Sequence, residues 1–296
     1  MQKLFVLLFI SLTSIAVSAQ EKTDKKLQRQ LETVMQGFHG VAGVYVKSLK
    51  TGKVAAVNAD TIFPTASMVK IPILVGIMAK LEKGEFQYHQ PMEYKDSLLY
   101  AGEDILGSFK SGEKITLSKI IMLMLTTSDN TASLWLQSLA GTGTRINELL
   151  DSVGLVHTRI NSRTPGREEN RSRHGWGQTT PREMATLMEK IYRGQVIGRT
   201  AGEKMIRLLG RNYFDEVAIS QIPPNVFVAS KHGCVNASRS ETLLVMAPNG
   251  PYIFSVITKD QSDQTWEPSN EGWELARKIS AILWNYYEPG SSRKHK

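Results

Sequence analysis

The chain has one cysteine, Cys234, among 296 residues, so no intramolecular disulfide can form and stability has to come from packing. Its six histidines, at 39, 89, 157, 174, 232 and 295, include no close pair of metal-ligand type, and neither Gly-x-Ser-x-Gly nor a phosphate-cradling glycine loop occurs. No metal and no cofactor are expected. Acidic residues are in the minority, 28 against 36 Lys plus Arg, for a net charge of +8. The basic residues are nonetheless spread along the chain without any nucleic-acid module, which argues against a nucleic-acid partner and leaves a milder attraction for anionic small molecules or cell-wall material.

Long apolar runs are scarce as well. The N-terminal run from Leu4 to about Ile15 is shorter than the ~18 to 20 residues a spanning helix needs. With Lys3 before it and Val17-Ser18-Ala19 after it, it reads as a secretory signal peptide cut near Ala19. A periplasmic or secreted protein is expected, with no cysteine directly following the cut to carry a lipid anchor and no membrane association afterwards. Nothing in the sequence demands more than a monomer, and there is no internal repeat or low-complexity segment.

Helical periodicity marks residues 24–38, and 41–49 with 54–58 read as a hairpin around Lys50-Thr51-Gly52. A strongly apolar helix runs from Ser67 to about Lys83 and ends at Gly84; the stretch from there to Leu117 has no clear period. Short helices are expected over 117–126, 131–139 and 145–153, then a polar, aperiodic segment at 161–178 that is too long for a routine connection and suggests a functional loop. Thr180-Pro181 opens a further helix, and 199–211 is helical. Strands at 226–230, 241–247 and 252–258, joined by turns at Asn236-Ala237 and Asn249-Gly250, precede a terminal helix over 270–287. This order predicts an α/β (α+β) fold: an antiparallel sheet assembled from both chain ends with flanking helices, and an all-helical domain inserted between them. The expected boundaries are 20–62 with 212–296 for the sheet-containing domain and 63–211 for the helical one.

The chemistry starts from Phe63-Pro-Thr-Ala-Ser-Met-Val-Lys70. Ser67 and Lys70 are three apart at a helix start and therefore share a face. Lys70 has two readings: a snorkelling lysine at the edge of an apolar helix, or an amine whose pKa is lowered by desolvation and a second cation so that it can accept the serine proton. The pattern alone does not decide, since Ser111-Gly-Glu-Lys114 repeats it in a predicted loop. What adds specificity is Ser128-Asp129-Asn130, 58 residues after Lys70, and Lys231-His232-Gly233, 103 residues after Ser128, at the end of a predicted strand.

In these three elements, their order and their spacing, the chain resembles the class A β-lactamases and related penicillin-binding serine hydrolases, and the similarity extends over nearly the whole mature chain. Lys50-Thr51-Gly52 matches the third element more literally, but it precedes Ser67 and sits in a turn where Gly supplies a positive φ. The resemblance implies a β-lactamase/transpeptidase-like fold and a Ser67 acyl-enzyme. Lys70 would be the proton acceptor, Ser128 the donor to the leaving nitrogen, Asn130 a holder of the substrate amide, Lys231 and His232 binders of the substrate carboxylate, and Gly233 part of the aligning strand. The backbone N–H groups of Ser67 and Cys234 would form the oxyanion hole. Each has a plainer alternative: helix caps for Ser128 and Asn130, an exposed edge-strand charge for Lys231, a small filler for Cys234.

Two departures bear on turnover. Reading back from Thr179-Thr180-Pro181 without gaps, Thr164 occupies the position of the family's water-positioning glutamate and Glu168 that of its asparagine. Glu168 or Glu169 takes over only if the loop is rebuilt; otherwise they are solvated surface charges beside Arg167 and Arg171. His232 replaces a hydroxyl residue and would donate best when protonated, with pH sensitivity near ~6.5. The implied function is a secreted serine acyl-hydrolase acting on β-lactams. The alternatives are a D-Ala-D-Ala peptidase or esterase of the same fold and a non-turnover cell-wall or β-lactam-binding protein.

Overall fold

The computed structural model describes residues 21–100 and 104–290; the expected signal peptide lies outside the described residues. In chain order the elements are helix α1 (Lys25–Met35), strands β1 (Val41–Ser48), β2 (Val54–Val57) and β3 (Phe63–Pro64), a 3₁₀ turn (Ala66–Val69), helix α2 (Lys70–Glu82) and strands β4 (Pro91–Glu93) and β5 (Lys114–Thr116). Helices α3 (Leu117–Thr126), α4 (Asn130–Leu139) and α5 (Thr142–Ser152) follow, then β6 (Arg159–Ile160), α6 (Glu168–His174), β7 (Gly177–Thr179), α7 (Pro181–Tyr192) and α8 (Arg199–Leu209). Strands β8 (Val228–Val235), β9 (Ser238–Val245) and β10 (Tyr252–Lys259) and helix α9 (Glu271–Tyr287) complete the chain.

The main sheet has the order β2-β1-β10-β9-β8, antiparallel throughout, so both chain ends contribute to it as the element order implies. Alternation along β10 shows why it must be covered on both faces. Tyr252, Phe254 and Val256 pack with Leu27, Leu31, Ile279 and Leu283 of α1 and α9, whereas Ile253 and Ile257 join the core shared with the helical block. At roughly 1.5 to 3 kcal/mol per buried large apolar side chain, these two layers hold the sheet between them.

Helix α2 is the axis of the helical block. Every residue from Lys70 to Met78 is buried, which is what a helix apolar on all sides requires. Two expectations shift here. The first turn of the Ser67 helix is 3₁₀ and opens on Ala66 at φ +44°, and β8 runs on through Lys231-His232-Gly233 to Val235 instead of ending there.

The segment 161–178 contains the short helix α6 and is tied at its base. Asn161 and Ser162 donate their N–H groups to Trp176 O, and Arg167 bridges Asn161 Oδ1 and Gln178 Oε1. Just before it, Glu183 of α7 accepts from the backbone N–H groups of Val156, His157 and Thr158 and from the Thr158 hydroxyl. Glu183→Ala leaves these donors facing a buried gap and is expected to cost about 3 kcal/mol, read as a drop of several degrees in melting temperature.

Candidate active site

Ser67 sits on the 3₁₀ turn at the head of α2, and Lys70 is the first α-helical residue. The Lys70 Nζ lies 3.1 Å from Ser67 Oγ, 2.9 Å from Ser128 Oγ, 2.8 Å from Asn130 Oδ1 and 2.5 Å from Ser128 O. Whether ammonium or neutral amine, Nζ has three positions to offer, so the four oxygens share them. Burial, opposed by the fields of Asp104 and Asp129, pushes the Lys70 pKa down to about 7. The snorkelling alternative is thereby removed, because Lys70 is fully buried.

Ser128 and Asn130 arrive through the break between α3 and α4. Ser128 has φ +61°, a conformation costly for a residue with Cβ. The helix cap is Asp129, whose carboxylate accepts from Ala132 N and Leu106 N. The cap fixes the turn, and Ser128 and Asn130 are free to face Lys70.

The third element comes from β8. An ideal Cβ on Gly233 would lie 2.8 Å from both Ser67 N and Thr65 O, so this glycine is needed for the strand to pass against the backbone of the serine turn. Lys231 is fully buried, with Nζ donating to His232 O at 2.9 Å and lying 3.4 Å from His232 Nδ1. Burial and the neighbouring Lys70 hold it well below the ordinary lysine range. The reading of Lys231 as an exposed edge charge is therefore corrected, although β8 is the edge strand.

His232 stacks on Phe214 with ring centroids 4.3 Å apart. Burial, followed by the charges of Lys231 and Lys70, holds its pKa well below 6.5. The expected protonation switch near neutrality does not fit this environment, which disfavours the charged ring. Cys234 lines the cleft, and burial pushes its thiol up, away from thiolate reactivity. The turn after it is held by the buried Arg239, which donates to the carbonyls of Val235, Asn236, Ser238 and Thr265 between the rings of Trp266 and Trp273.

The open space in front of Ser67 is a cleft of about 510 Å³, also bordered by Asn130, Tyr100, Trp176 and Cys234, within the usual size for a ligand site. Tyr100 and Trp176 meet edge to face at 5.0 Å. Sequence reasoning missed this pair: Tyr100 lies in the stretch without period, and Trp176 carries no signal beyond membership of the suspect loop.

The loop does not supply the carboxylate considered for it. Thr164 is buried, donates to Ser162 O and lies against Gly143 of α5. Glu168 and Glu169 are exposed; Glu168 accepts from Gly166 N, and Glu169 pairs with Arg173. The loop residues that border the cleft are Arg173, His174, Gly175 and Trp176. Substituting both Glu168 and Glu169 with Gln is accordingly expected to leave the lifetime of any covalent β-lactam adduct unchanged, as followed by intact-protein mass spectrometry.

With this geometry established, similarity to known proteins becomes informative. A model of the β-lactamase enzyme family matches residues 26–287. β-Lactamase VEB-1 of Pseudomonas aeruginosa is 23% identical, covering 96% of this chain and 98% of its own length, and β-lactamase PSE-4 of the same organism is 22% identical over 90% and 93%. Among solved structures, PBP-A superimposes with a TM-score of 0.80 at 25% identity, covering 90% of this chain and 98% of its own. A class A β-lactamase representative from Bacteroides cellulosilyticus gives 0.77 at 19% identity, over 88% and 96%. The chain belongs to the β-lactamase enzyme family, on the side where class A β-lactamases and penicillin-binding proteins share one fold.

Proposed function

We propose that the protein is an exported serine hydrolase whose Ser67 opens β-lactam rings and that it releases the resulting acyl group slowly. The observation that carries this reading is the position of Lys70 Nζ between Ser67 Oγ and Ser128 Oγ, at 3.1 and 2.9 Å. Neutral Lys70 takes the Ser67 proton as Oγ attacks the lactam carbonyl carbon. The oxyanion is received by the N–H groups of Ser67 and Cys234, a contribution of about 3 to 4 kcal/mol per donor. The proton then passes from Lys70 to Ser128 and on to the lactam nitrogen as the C–N bond breaks, leaving the opened ring esterified to Ser67. Asn130 holds the acylamino group. Lys231, whose own charged form is disfavoured by burial and by Lys70, shares a site in which two buried positive charges are unfavourable.

Slow release follows from the loop. Hydrolysis of the ester needs a base to activate water, and no carboxylate from 161–178 borders the cleft. A leucine-to-glutamate mutant of PBP-A was solved as an acyl-enzyme complex with penicillin G, which supports the acylation half of the reading. Incubation with benzylpenicillin is expected to add the mass of one intact β-lactam, mapped to the peptide containing Ser67 and persisting for minutes or longer. No adduct at Ser67 would refute the reading, and decay within a second would make the protein an efficient β-lactamase.

The same missing carboxylate favours a second reading, a D-Ala-D-Ala peptidase that β-lactams inhibit, for which release of D-Ala from a peptide ending in D-Ala-D-Ala is the test. Export rests on the N-terminal sequence, and a mature protein beginning after Ala19 in the periplasmic fraction is the expected result.

A further inference from the structure

The lining of the cleft is not confined to the serine element. Pro64 and Ala66, Lys259 and Asp260 at the end of β10, and Arg173 and His174 of the loop border it too. Trp176, Val235 and Ala237 add apolar lining. Two of the charged groups, Lys259 and Arg173, are cations without a buried carboxylate partner.

Lys259 is half-buried and donates to Ile62 O at 2.9 Å. No carboxylate lies within ion-pair distance of it among the described residues, so its ammonium has protons left to donate. Arg173 pairs with Glu169 one turn earlier on α6, but the two side chains are 70% and 77% exposed, and such a pair is held weakly. Behind them Arg167 bonds only the amide oxygens of Asn161 and Gln178. His174 lies among these cations, and burial together with the fields of Lys259, Arg173 and Arg167 outweighs Asp260 and lowers its pKa. Asp260 is exposed, so water screens it more than it screens half-buried Lys259.

We propose that the cleft selects acyl donors whose acyl side chain is several atoms long and ends in a carboxylate, which Lys259 and Arg173 receive while Ser67 attacks the acyl carbon. The inference rests on the acyl-enzyme reading of Ser67 and goes beyond it by naming the chemistry at the other end of the substrate. An apolar chain lies against the apolar lining, and its terminal charge meets cations that the protein leaves without a buried counter-ion.

The test compares two penicillins that differ at one terminal group: 6-(adipoylamino)penicillanic acid, ending in carboxylate, and 6-(hexanoylamino)penicillanic acid, ending in methyl. The readout is the ratio of their second-order rate constants for acylating Ser67, in which the carboxylate common to both nuclei cancels. In low salt the adipoyl compound is expected to react about 5-fold faster or more, with the ratio falling toward one in 0.5 M salt. Lys259→Gln and Arg173→Gln should each reduce the ratio at least about twofold, and Arg173→Glu should bring it to one or below. Arg173 is exposed, so its variants remain decisive if Lys259→Gln fails to fold. A wild-type ratio of one, or a ratio indifferent to all three substitutions, overturns the proposal while leaving the acyl-enzyme intact. If neither compound labels Ser67, the acyl-enzyme reading fails and this inference fails with it.

Discussion

Lys70→Met is expected to slow acylation of Ser67 by benzylpenicillin about a thousandfold, within the range of roughly 10² to 10⁴ that a positioned general base contributes. Methionine nearly preserves the volume of the buried stem but can neither accept the serine proton nor pass it to Ser128, 2.9 Å away. Stability should change far less than activity. The substitution removes a desolvated amine, which favours the fold, and strips Ser128 O and Asn130 Oδ1 of a donor, which opposes it. Stopped-flow acylation and thermal denaturation measure the two separately.

The pH dependence follows with a definite sign. The Lys70 pKa is depressed to about 7 in the fold from 10.5, so the neutral amine accumulates as pH rises through about 7, and wild-type acylation should rise with it. In Lys70→Met that limb should disappear. Between about 7 and 10.5 the unfolded chain binds a proton that the folded one does not, so the contribution of Lys70 to stability increases with pH across this window. Below it both states are protonated, and burial of the charge costs its full amount. An acylation rate that falls as pH rises through 7 would mean that Lys70 is not the base.

The second large effect concerns a residue without a side chain. Gly233→Ala is expected to lower the acylation rate about a hundredfold, because an ångström of misplacement at reacting groups costs on that order. The added methyl would meet Ser67 N and Thr65 O at 2.8 Å and Ser240 Oγ at 2.9 Å. Two of these three are backbone atoms that cannot rotate aside, so either β8 or the serine turn has to move. The melting temperature should fall only modestly while the rate constant collapses. Equal losses in both would indicate general unfolding instead of a displaced nucleophile.

How far the sequence could be read depended on the range of the forces involved. The strands and most helices were legible because their apolar positions repeat with periods of two and 3.6 residues, and the caps at Asp24, Asn270 and Thr180 are local hydrogen bonds. Boundaries slipped where tertiary contacts decide them. Strand β9 begins at Ser238, three residues before the expected start at Glu241, where Arg239 lies beneath the turn between Trp266 and Trp273. The stretch before Leu117 stayed unread because its short strands and 3₁₀ turns are held by contacts such as Leu106 N to Asp129 and Tyr100 N to Thr131 Oγ1, 23 and 31 residues apart.

Within the candidate site, the proposal of Ser67, Lys70, Ser128, Asn130 and Lys231 was readable from order and spacing, and so was the placement of Thr164 where the family has a glutamate. Protonation was not. Whether Lys70 and Lys231 are poised bases or solvated charges depends on how much water reaches them, a property of packing that no local pattern encodes. The lowered pKa of His232 likewise owes part of its cause to groups remote in sequence, burial against Phe214 and the charge of Lys70, beside that of its neighbour Lys231. The sequence by itself determined which groups are available and the order in which the chain presents them. Tertiary structure alone decided their charge and the reach of the cleft to Lys259, because desolvation and the convergence of remote segments exist only once the chain has closed around them.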